Sequence, residues 1–486
     1  MHTIDVAGYQ VDTRHWIDGQ RVVSLETFDD VSPVDGSLLG KIQRATKLEA
    51  DWAVTAAKMA FPAWSAMTAE ERGEILLRLA DLVDANIEML SQVETMDNGS
   101  LLRSHRRGVM PRVAMNIRYF AEYAMTKLSH PVWETRGHTN HVSWDPSGVA
   151  VIITPWNAPL MLATWRIGPA LASGDTVVLK PPEWAPLTAS IFADLTEQAG
   201  MPPGVFNVVQ GLGVEAGAPL TENPDVSRIC FTGSVPTAKI IARAAAENLI
   251  PCSFELGGKS PTVILDDADL DLAVDLAIEQ YDNAGQVCLA GTRLLVQRGI
   301  ADAFAERFAE RAAQIRQGDP RDEATQIGPN IHLKHLKRVE GFVRRAQQAG
   351  ATIAYGGERN EELGSHFFKP TLVVDAPVGS EILTQEVFGP VLTMQTFDSD
   401  EEGLALANGT EFGLAACVVS GNRERAEAFC KHLVAGTIWV NCFFVRDLGA
   451  PFGGSKKSGI GREGGLWSFD FYADVKNTVY SPNGWK

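Results

Sequence analysis

One cysteine, Cys288, stands in NAGQVCLAGTR (283–293) among small, amide-bearing and glycine residues. A thiol so placed can act as a nucleophile through its thiolate. It can also be a packed structural thiol, half of a disulfide or a metal ligand. The six cysteines, Cys230, Cys252, Cys288, Cys417, Cys430 and Cys442, are spread along the chain, with none of the paired short spacings that hold zinc or frame small secreted folds. The disulfide and metal readings therefore carry little weight, and no metal is expected. His332 and His335 lie three apart in NIHLKHLKR, but charged neighbours and the lack of a third ligand in sequence make them read as a wet helix face. Glu255 in SFELGGKSP precedes two glycines, which leave room for a ligand beside the backbone; a salt bridge to Lys259 is the plainer reading.

The elements that must position these residues show in the periodicity. Apolar positions at three-and-four spacing make residues 46–126 helical. Then GVAVIITPWN (148–157), DTVVLKPPE (175–183), GVFNVVQG (204–211) and VSRICFTGS (226–234) are short β-rich runs, separated by helical stretches such as PLMLATWRIGPALAS. Such alternation in units of ~30 residues implies a parallel sheet with right-handed crossovers, and ligands sit beyond the carboxyl ends of its strands. The residues that matter should lie just after each strand. A second series from PTVILDDADLDLAVDLAIE to GTIWVNC repeats the alternation and suggests a second α/β domain, with no internal repeat at a fixed period.

Taken in turn, the strand ends are consistent with a dinucleotide. Lys180-Pro181-Pro182-Glu183 puts a cation beside an acid on a stiffened loop. A Glu at the end of a Rossmann-like strand can accept from both ribose hydroxyls and would repel a 2′-phosphate, which favours NAD over NADP; a surface Lys–Glu pair fits these residues equally well. Gly211 and Gly213 permit close backbone approach. In CFTGSVPTAKIIARAAAENL, Ser234 is placed as an N-cap and Pro236 in the first turn, so the free amides there would suit a pyrophosphate, although the loop is not GxGxxG.

With 486 residues and 45 % hydrophobic content the chain can bury large cores, enough for two or three domains. A formal net charge of -17 argues against nucleic acid as a partner. The one dense basic stretch, LLRSHRRGVMPRVAMNIR (101–118), falls in an amphipathic helical run and reads first as a solvated or interface face. MHTIDVAGYQVDTRHW has no cationic region followed by an apolar core, and no apolar run approaches the ~18 residues of a membrane span, so a cytoplasmic protein is expected.

Glu255, Cys288 with Gln286, Asn157 in TPWNAPL, and Glu386 and Phe388 in QEVFGPV together resemble the aldehyde dehydrogenase superfamily in order and spacing. PWN, FTGS, ELGGKSP, GQVCxAGTR, EVFGPV and PFGGSKKSGIGREGG (451–465) carry the resemblance over nearly the whole chain. It implies an α/β fold with a Rossmann-like NAD-binding domain (1–124 and 149–255), an α/β catalytic domain (256–457) and a small β oligomerisation element (125–148 and 458–486). HTNHVSWDPSG and the tail DFYADVKNTVYSPNGWK alternate as strands do, with no partner strand nearby in sequence. In the family such segments pair between subunits, so homo-oligomers, dimers or tetramers, are expected.

The resemblance further implies that Cys288 attacks an aldehyde, that Asn157 and the Cys288 backbone N–H hold the oxyanion, and that Glu255 activates the water that releases the acid. On the cofactor side it places Ile153, Pro155, Trp156, Lys180, Pro182 and Glu183 along the adenosine half. Gly213, Phe231, Gly233 and Ser234 fall by the adenine and pyrophosphate, and Leu256, Glu386 and Phe388 by the nicotinamide end. Ala238 departs from the family's usual glycine, and altered cofactor affinity is expected from its methyl. A CoA-acylating member would usually lack the water-activating Glu; a scaffold would not need Cys288, Glu255 and Asn157 together; a cysteine hydrolase would need a His, and no motif holds one.

Arg112 and Arg446, with Trp165 and Phe452, border the substrate tunnel in the family pattern. Two arginines in one tunnel are costly to desolvate unless an anion meets them. VRDL, SFDFYADVKN and PWNAPLMLATW look most like the 2-hydroxymuconate and 5-carboxymethyl-2-hydroxymuconate semialdehyde dehydrogenases, whose substrates carry carboxylates. The alternative pairs Arg446 with Asp447 and leaves Arg112 on the basic face, with a neutral aromatic or aliphatic aldehyde as substrate.

Overall fold

The structure is a computed structural model and describes residues 2–485. Val149–Ile153 is buried along its whole length, as a strand covered on both faces of a parallel sheet must be. It pairs in parallel with Thr176–Lys180 on one side and Arg228–Gly233 on the other. Phe206–Val208 extends the sheet beyond the first neighbour and Cys252–Leu256 beyond the second. The first strand of the series thus lies in the middle, where strand order reverses and a crevice opens at the carboxyl end. Short antiparallel strands at the two edges complete an eight-stranded sheet.

A second sheet of seven strands is centred on Arg293–Gln297, between Val391–Phe397 and Pro261–Ile264, with Ala415–Val419 beyond the latter. Only its edge strand Thr352–Tyr355 runs antiparallel. The two sheets meet the crevice with opposite ends. Asn157, Glu183 and Ser234 follow strands of the first sheet, and Glu255 ends one, whereas Cys288 precedes Arg293–Gln297 and Glu386 and Phe388 precede Val391–Phe397. The expectation that every functional residue follows a strand therefore holds for the first sheet alone. The second offers the amino edge of its strands to the same crevice.

The helical stretch 46–126 is broken by two capping boxes, Thr46 with Glu49 and Thr68 with Glu71, and by one π-turn, His105–Val109. Within Met110–Thr126, buried Met110, Val113, Ile117 and Phe120 recur at three-and-four spacing, and the helix packs along Pro159–Ser173. Most of the basic stretch is a surface face, as read: Arg106 pairs with Glu88, Arg107 with Glu323, and Arg118 with Asp81 and Asp84.

The strands His138–Pro146 and Ala473–Tyr480 find their partners within this chain: they pair antiparallel from Pro146 opposite Ala473 to Thr139 opposite Tyr480. The partner that each lacks nearby in sequence is thus supplied from more than 300 residues away. Val132–Thr135 completes a three-stranded sheet, which leaves Trp133, Val475 and Val479 exposed.

One buried ion pair ties the Pro159–Ser173 helix to the loop before the last helix. Glu463 accepts from Arg166 Nε at 3.0 Å and Nη2 at 3.2 Å, from Trp165 Nε1 at 2.6 Å and from Ser253 Oγ at 3.3 Å. Burial works against the charge on Arg166, and the Glu463 carboxylate more than offsets it, holding the guanidinium protonated. Arg166→Met strands that carboxylate, and should lower stability to chemical denaturant by ~3–5 kcal/mol; a loss below ~1 kcal/mol would show that the pair is dispensable.

Candidate active site

The cysteine loop is built on left-handed backbone. Asn283, Ala284 and Gly285 have φ of 49°, 55° and 68°, which only glycine adopts freely. At Gly285 a Cβ would also stand 2.0 Å from the Gly389 carbonyl oxygen. Gln286 staples the turn: its Oε1 accepts from Ile331 N–H at 3.0 Å and its Nε2 donates to Asn283 O at 3.0 Å. Asn157 reaches in from the first sheet, Nδ2 donating to Gln286 O at 2.9 Å. The structure thus brings the Asn157 amide to the chain two residues before Cys288.

Cys288 is part-exposed to the cleft. Burial of its sulfur is the largest reason that its thiol is pushed up to about 12, with Glu386 and Glu255 adding to this and Arg446 opposing it. Glu255 is buried and neither carboxylate oxygen has a hydrogen-bond partner. Burial first, and Glu463 second, hold its carboxyl well above the usual range, against Arg166, Arg446 and Arg462. The salt bridge to Lys259 is absent: Lys259 Nζ is itself without a partner, and burial brings its amine down to about 7. Glu386 accepts from Gly258 N–H at 2.9 Å. A Cβ at Gly257 would stand 2.0 Å from Glu386 Oε2, so the glycine pair makes room for this carboxylate.

Along the other flank the residues fit a dinucleotide. Space is open at Gly213, where a Cβ would meet nothing within 4 Å. The helix Val235–Glu247 presents its amides with Ser234 as N-cap, accepting from Thr237 N–H. Ala238 is buried in the core beside Ile241, so its methyl packs inward. Ile153 and Phe231 are buried beneath, with Pro155, Pro182, Gly233 and Leu256 at the ends of four neighbouring strands or in the loops that follow them. Lys180 Nζ donates to Glu183 Oε2 at 3.0 Å; burial raises the Glu183 carboxyl, but Lys180 and Lys334 hold it below its ordinary value. The Lys–Glu pair of KPPE is thus present, and the Glu183 carboxylate still keeps 39 % of its surface. Trp156 lies edge-on to Phe388, ring centroids 5.2 Å apart.

The tunnel side gathers four residues. Arg446 lies over the Phe452 ring at 3.6 Å and 5.4 Å from the Trp165 ring. Arg112 stands 5.9 Å from the same indole and donates from Nε to Asn116 Oδ1 at 3.0 Å. Among the described residues neither guanidinium has an ion-pair partner. Asp447 does not pair with Arg446; its carboxylate accepts from Gly449 N–H at 2.6 Å. Burial and then Arg112 bring Arg446 down to about 10, and burial lowers Arg112.

Two residues of the site escaped the sequence reading. Glu463 stood unremarked within GIGREGG, where nothing local tells a buried acid from a wet one. His335 is no wet-face residue: it is buried, its Nε2 donates to Phe388 O at 2.6 Å, and its ring meets Trp156 at 5.1 Å. His332 caps its helix and stacks on Trp184. The signal lay in the spacing, since LxxLxxVxxFV around His335 marks an apolar face that includes it.

The sequence pattern of the aldehyde dehydrogenase family matches residues 16–478. The chain is 41 % identical to a 2-hydroxymuconic semialdehyde dehydrogenase of Pseudomonas sp. (strain CF600), covering 96 % of this chain and 99 % of that one. It is 38 % identical to the 2-aminomuconic semialdehyde dehydrogenase of Homo sapiens, over 95 % of this chain and 96 % of that one. The crystal structure of betaine aldehyde dehydrogenase from Staphylococcus aureus in complex with NAD+ superposes with a TM-score of 0.95 at 37 % identity, covering 98 % of this chain and 96 % of that one.

The raised thiol has a direct consequence. Alkylation of Cys288 by iodoacetamide, followed by site-resolved mass spectrometry, should accelerate about tenfold per pH unit from about pH 7 to about pH 9 without levelling off. Arg446→Ala should slow it throughout, because a cation that favours the thiolate is lost. A plateau by about pH 8 would contradict this electrostatic picture.

Proposed function

The chain belongs to the aldehyde dehydrogenase family and is an NAD-dependent aldehyde dehydrogenase, and from that premise we propose that its substrates are semialdehydes bearing a carboxylate of the kind released by aromatic ring cleavage. The observation that carries this reading is the pair of guanidiniums, Arg112 and Arg446, lodged against Trp165 and Phe452 beside Cys288 without a carboxylate of their own. Leaving two cations partly desolvated is costly, and a substrate carboxylate, met by parallel N–H donors, relieves it. The relatives named for muconic semialdehydes support the same class.

In this reading Cys288 Sγ bonds to the aldehyde carbon while its proton passes to Glu255. Burial beside Glu463 raises Glu255's affinity for a proton, as a base working near neutral pH requires. Asn157 Nδ2 and the Cys288 backbone N–H hold the oxyanion of the thiohemiacetal, each such donor contributing ~3 kcal/mol in the transition state. NAD, when bound, accepts the hydride that turns the thiohemiacetal into a thioester. Once Glu255 has given the Cys288 proton up to solvent, it draws a proton from water, whose oxygen attacks the thioester carbon; Cys288 leaves as the thiolate with release of the acid, and the proton on Glu255 returns to it. For the cofactor, Trp156, Lys180 and Glu183 would hold the adenosine half, Gly213, Gly233 and Ser234 the adenine and pyrophosphate, and Leu256, Glu386 and Phe388 the nicotinamide end. Glu183 makes NAD preferred over NADP.

We assign 1–124 with 149–255 to the NAD-binding domain, 256–457 to the catalytic domain, and 125–148 with 458–486 to an oligomerisation element. The exposed Trp133, Val475 and Val479 on its sheet support assembly into dimers or tetramers. No helix among the described residues is long and apolar enough to cross a membrane, and a cytoplasmic location follows from the proposed chemistry.

Two experiments test the assignment. Glu255→Gln should retain a single-turnover burst of NADH while steady turnover collapses, and Cys288→Ala should lose both but still bind NAD; turnover in the Cys288 variant sinks the nucleophile. The substrate class is read from kcat/KM over matched semialdehydes with and without a distal carboxylate. Arg112→Ala and Arg446→Ala should each cost ~2–4 kcal/mol for the anionic aldehydes alone. Equal losses for neutral aldehydes, or no wild-type preference for the carboxylate, would falsify the two-arginine clamp.

A further inference from the structure

The loop that carries Glu386 and Phe388 has no regular structure of its own, and its backbone is strained. Phe388 has φ of 58°, a left-handed conformation that a bulky residue keeps only where its surroundings over-determine it. The surroundings here are two side chains one turn apart on the helix Leu333–Gln348. His335 Nε2 donates to Phe388 O at 2.6 Å, Arg338 Nη2 donates to Glu386 O at 2.6 Å, and Arg338 Nη1 donates to Val387 O. Three consecutive carbonyls are thus taken by one helix face. The carboxylate of Glu386 is anchored from the opposite side by Gly258 N–H at 2.9 Å. Behind the clamp, the His335 ring meets Trp156 edge-on at 5.1 Å, and Trp156 meets Phe388 at 5.2 Å. The helix therefore touches the loops from both sheets.

We infer that His335 and Arg338 are positioning residues for the cofactor: through the 386–388 backbone they hold the Glu386 carboxylate and the Phe388 ring where the nicotinamide end must lie. Neither residue need touch the reacting atoms. The proposal rests on the placement of Glu386 and Phe388 at the nicotinamide end. A buried imidazole is suited to the task because burial holds its pKa down to about 4, so the ring stays neutral, with its one proton on the nitrogen that faces the carbonyl. Arg338 brings two donors in a fixed fork, which matches two carbonyls in sequence.

The test uses the full-length enzyme with NAD and an aldehyde that it oxidises. His335→Leu keeps the bulk and removes the donor, and His335→Gln keeps a donor of similar reach. Leu should raise KM for NAD about tenfold while KM for the aldehyde moves less than about twofold, and Gln should recover most of the loss. Arg338→Met should act in the same direction, and Arg338→Lys, with one compact ammonium, should recover only part. Direct titration with NADH, read by energy transfer from tryptophan, should show the same order of affinities. A lower melting temperature with unchanged KM for NAD would reduce the pair to scaffolding and overturn the proposal; so would equal damage from Leu and Gln. Glu386→Ala and Phe388→Ala, measured alongside, separate two failures. If they raise KM for NAD and His335→Leu does not, the clamp is wrong. If none of them does, the placement of the loop is wrong, and the clamp falls with it.

Discussion

Removing a carboxylate from water costs several kcal/mol unless donors meet its lone pairs. Glu463 satisfies that condition with groups from separate stretches: the indole of Trp165 and guanidinium of Arg166 on one helix, and the hydroxyl of Ser253 on a strand. Its own backbone exchanges two hydrogen bonds of 2.7 Å with Phe452. The orientation of Trp165 and the placing of Phe452, the two rings against which Arg446 lies, therefore follow from how one buried acid is satisfied. Ser253 and Glu255 are two apart on the same strand and face the same side, so the charge of Glu463 lies beside Glu255 and raises its affinity for a proton. The acid of the buried ion pair thus also helps to set the proton affinity of Glu255.

The tunnel shows the reverse situation, charge left without a partner. Arg112 lowers the pKa of Arg446, second to burial, so the two cations repel. Arg446 simultaneously favours the Cys288 thiolate. A carboxylate seated between the arginines relieves their repulsion and, by the same Coulomb law, withdraws part of the field that favours the thiolate. In the proposed reaction, affinity and thiolate formation would thus draw on one charge, that of Arg446.

Much of this was legible in residue order. The alternation of short apolar runs with helical stretches implies a parallel sheet with a ligand at the carboxyl ends of its strands, which is why Glu183 and Ser234 could be picked out before any geometry; Glu255 was marked by the glycines that follow it, and Asn157 by motif resemblance. Cys288, Glu386 and Phe388 obey no such rule, since they precede their strands; motif resemblance, not topology, singled them out. Arg112 was half legible. Its neighbours in the basic stretch find surface acids, and only the packing of Met110–Thr126 on Pro159–Ser173 shows which arginine turns inward. Glu463 was illegible for a physical reason: an acid in a glycine-rich loop looks solvated until its partners nearly 300 residues away are in place; His335 was legible in the apolar spacing of its helix, which its charged neighbours masked.

The small sheet that joins His138–Pro146 to Ala473–Tyr480 has a consequence for the order in which the chain becomes a protein. Its register links positions more than 300 residues apart, and Arg228, on the fourth parallel strand, donates to Phe471 O at 2.6 Å and pairs with Asp474. The closing strand is synthesised more than 300 residues after the one it pairs with, so over that stretch of synthesis His138–Pro146 waits with one open edge, and Arg228 waits for its partners Phe471 and Asp474. Both sheets of the catalytic cleft can form behind it from contacts nearer in sequence. Pairing of this segment is limited by the long loop it must close, and during that wait the unpaired edge is open to pairing with another copy.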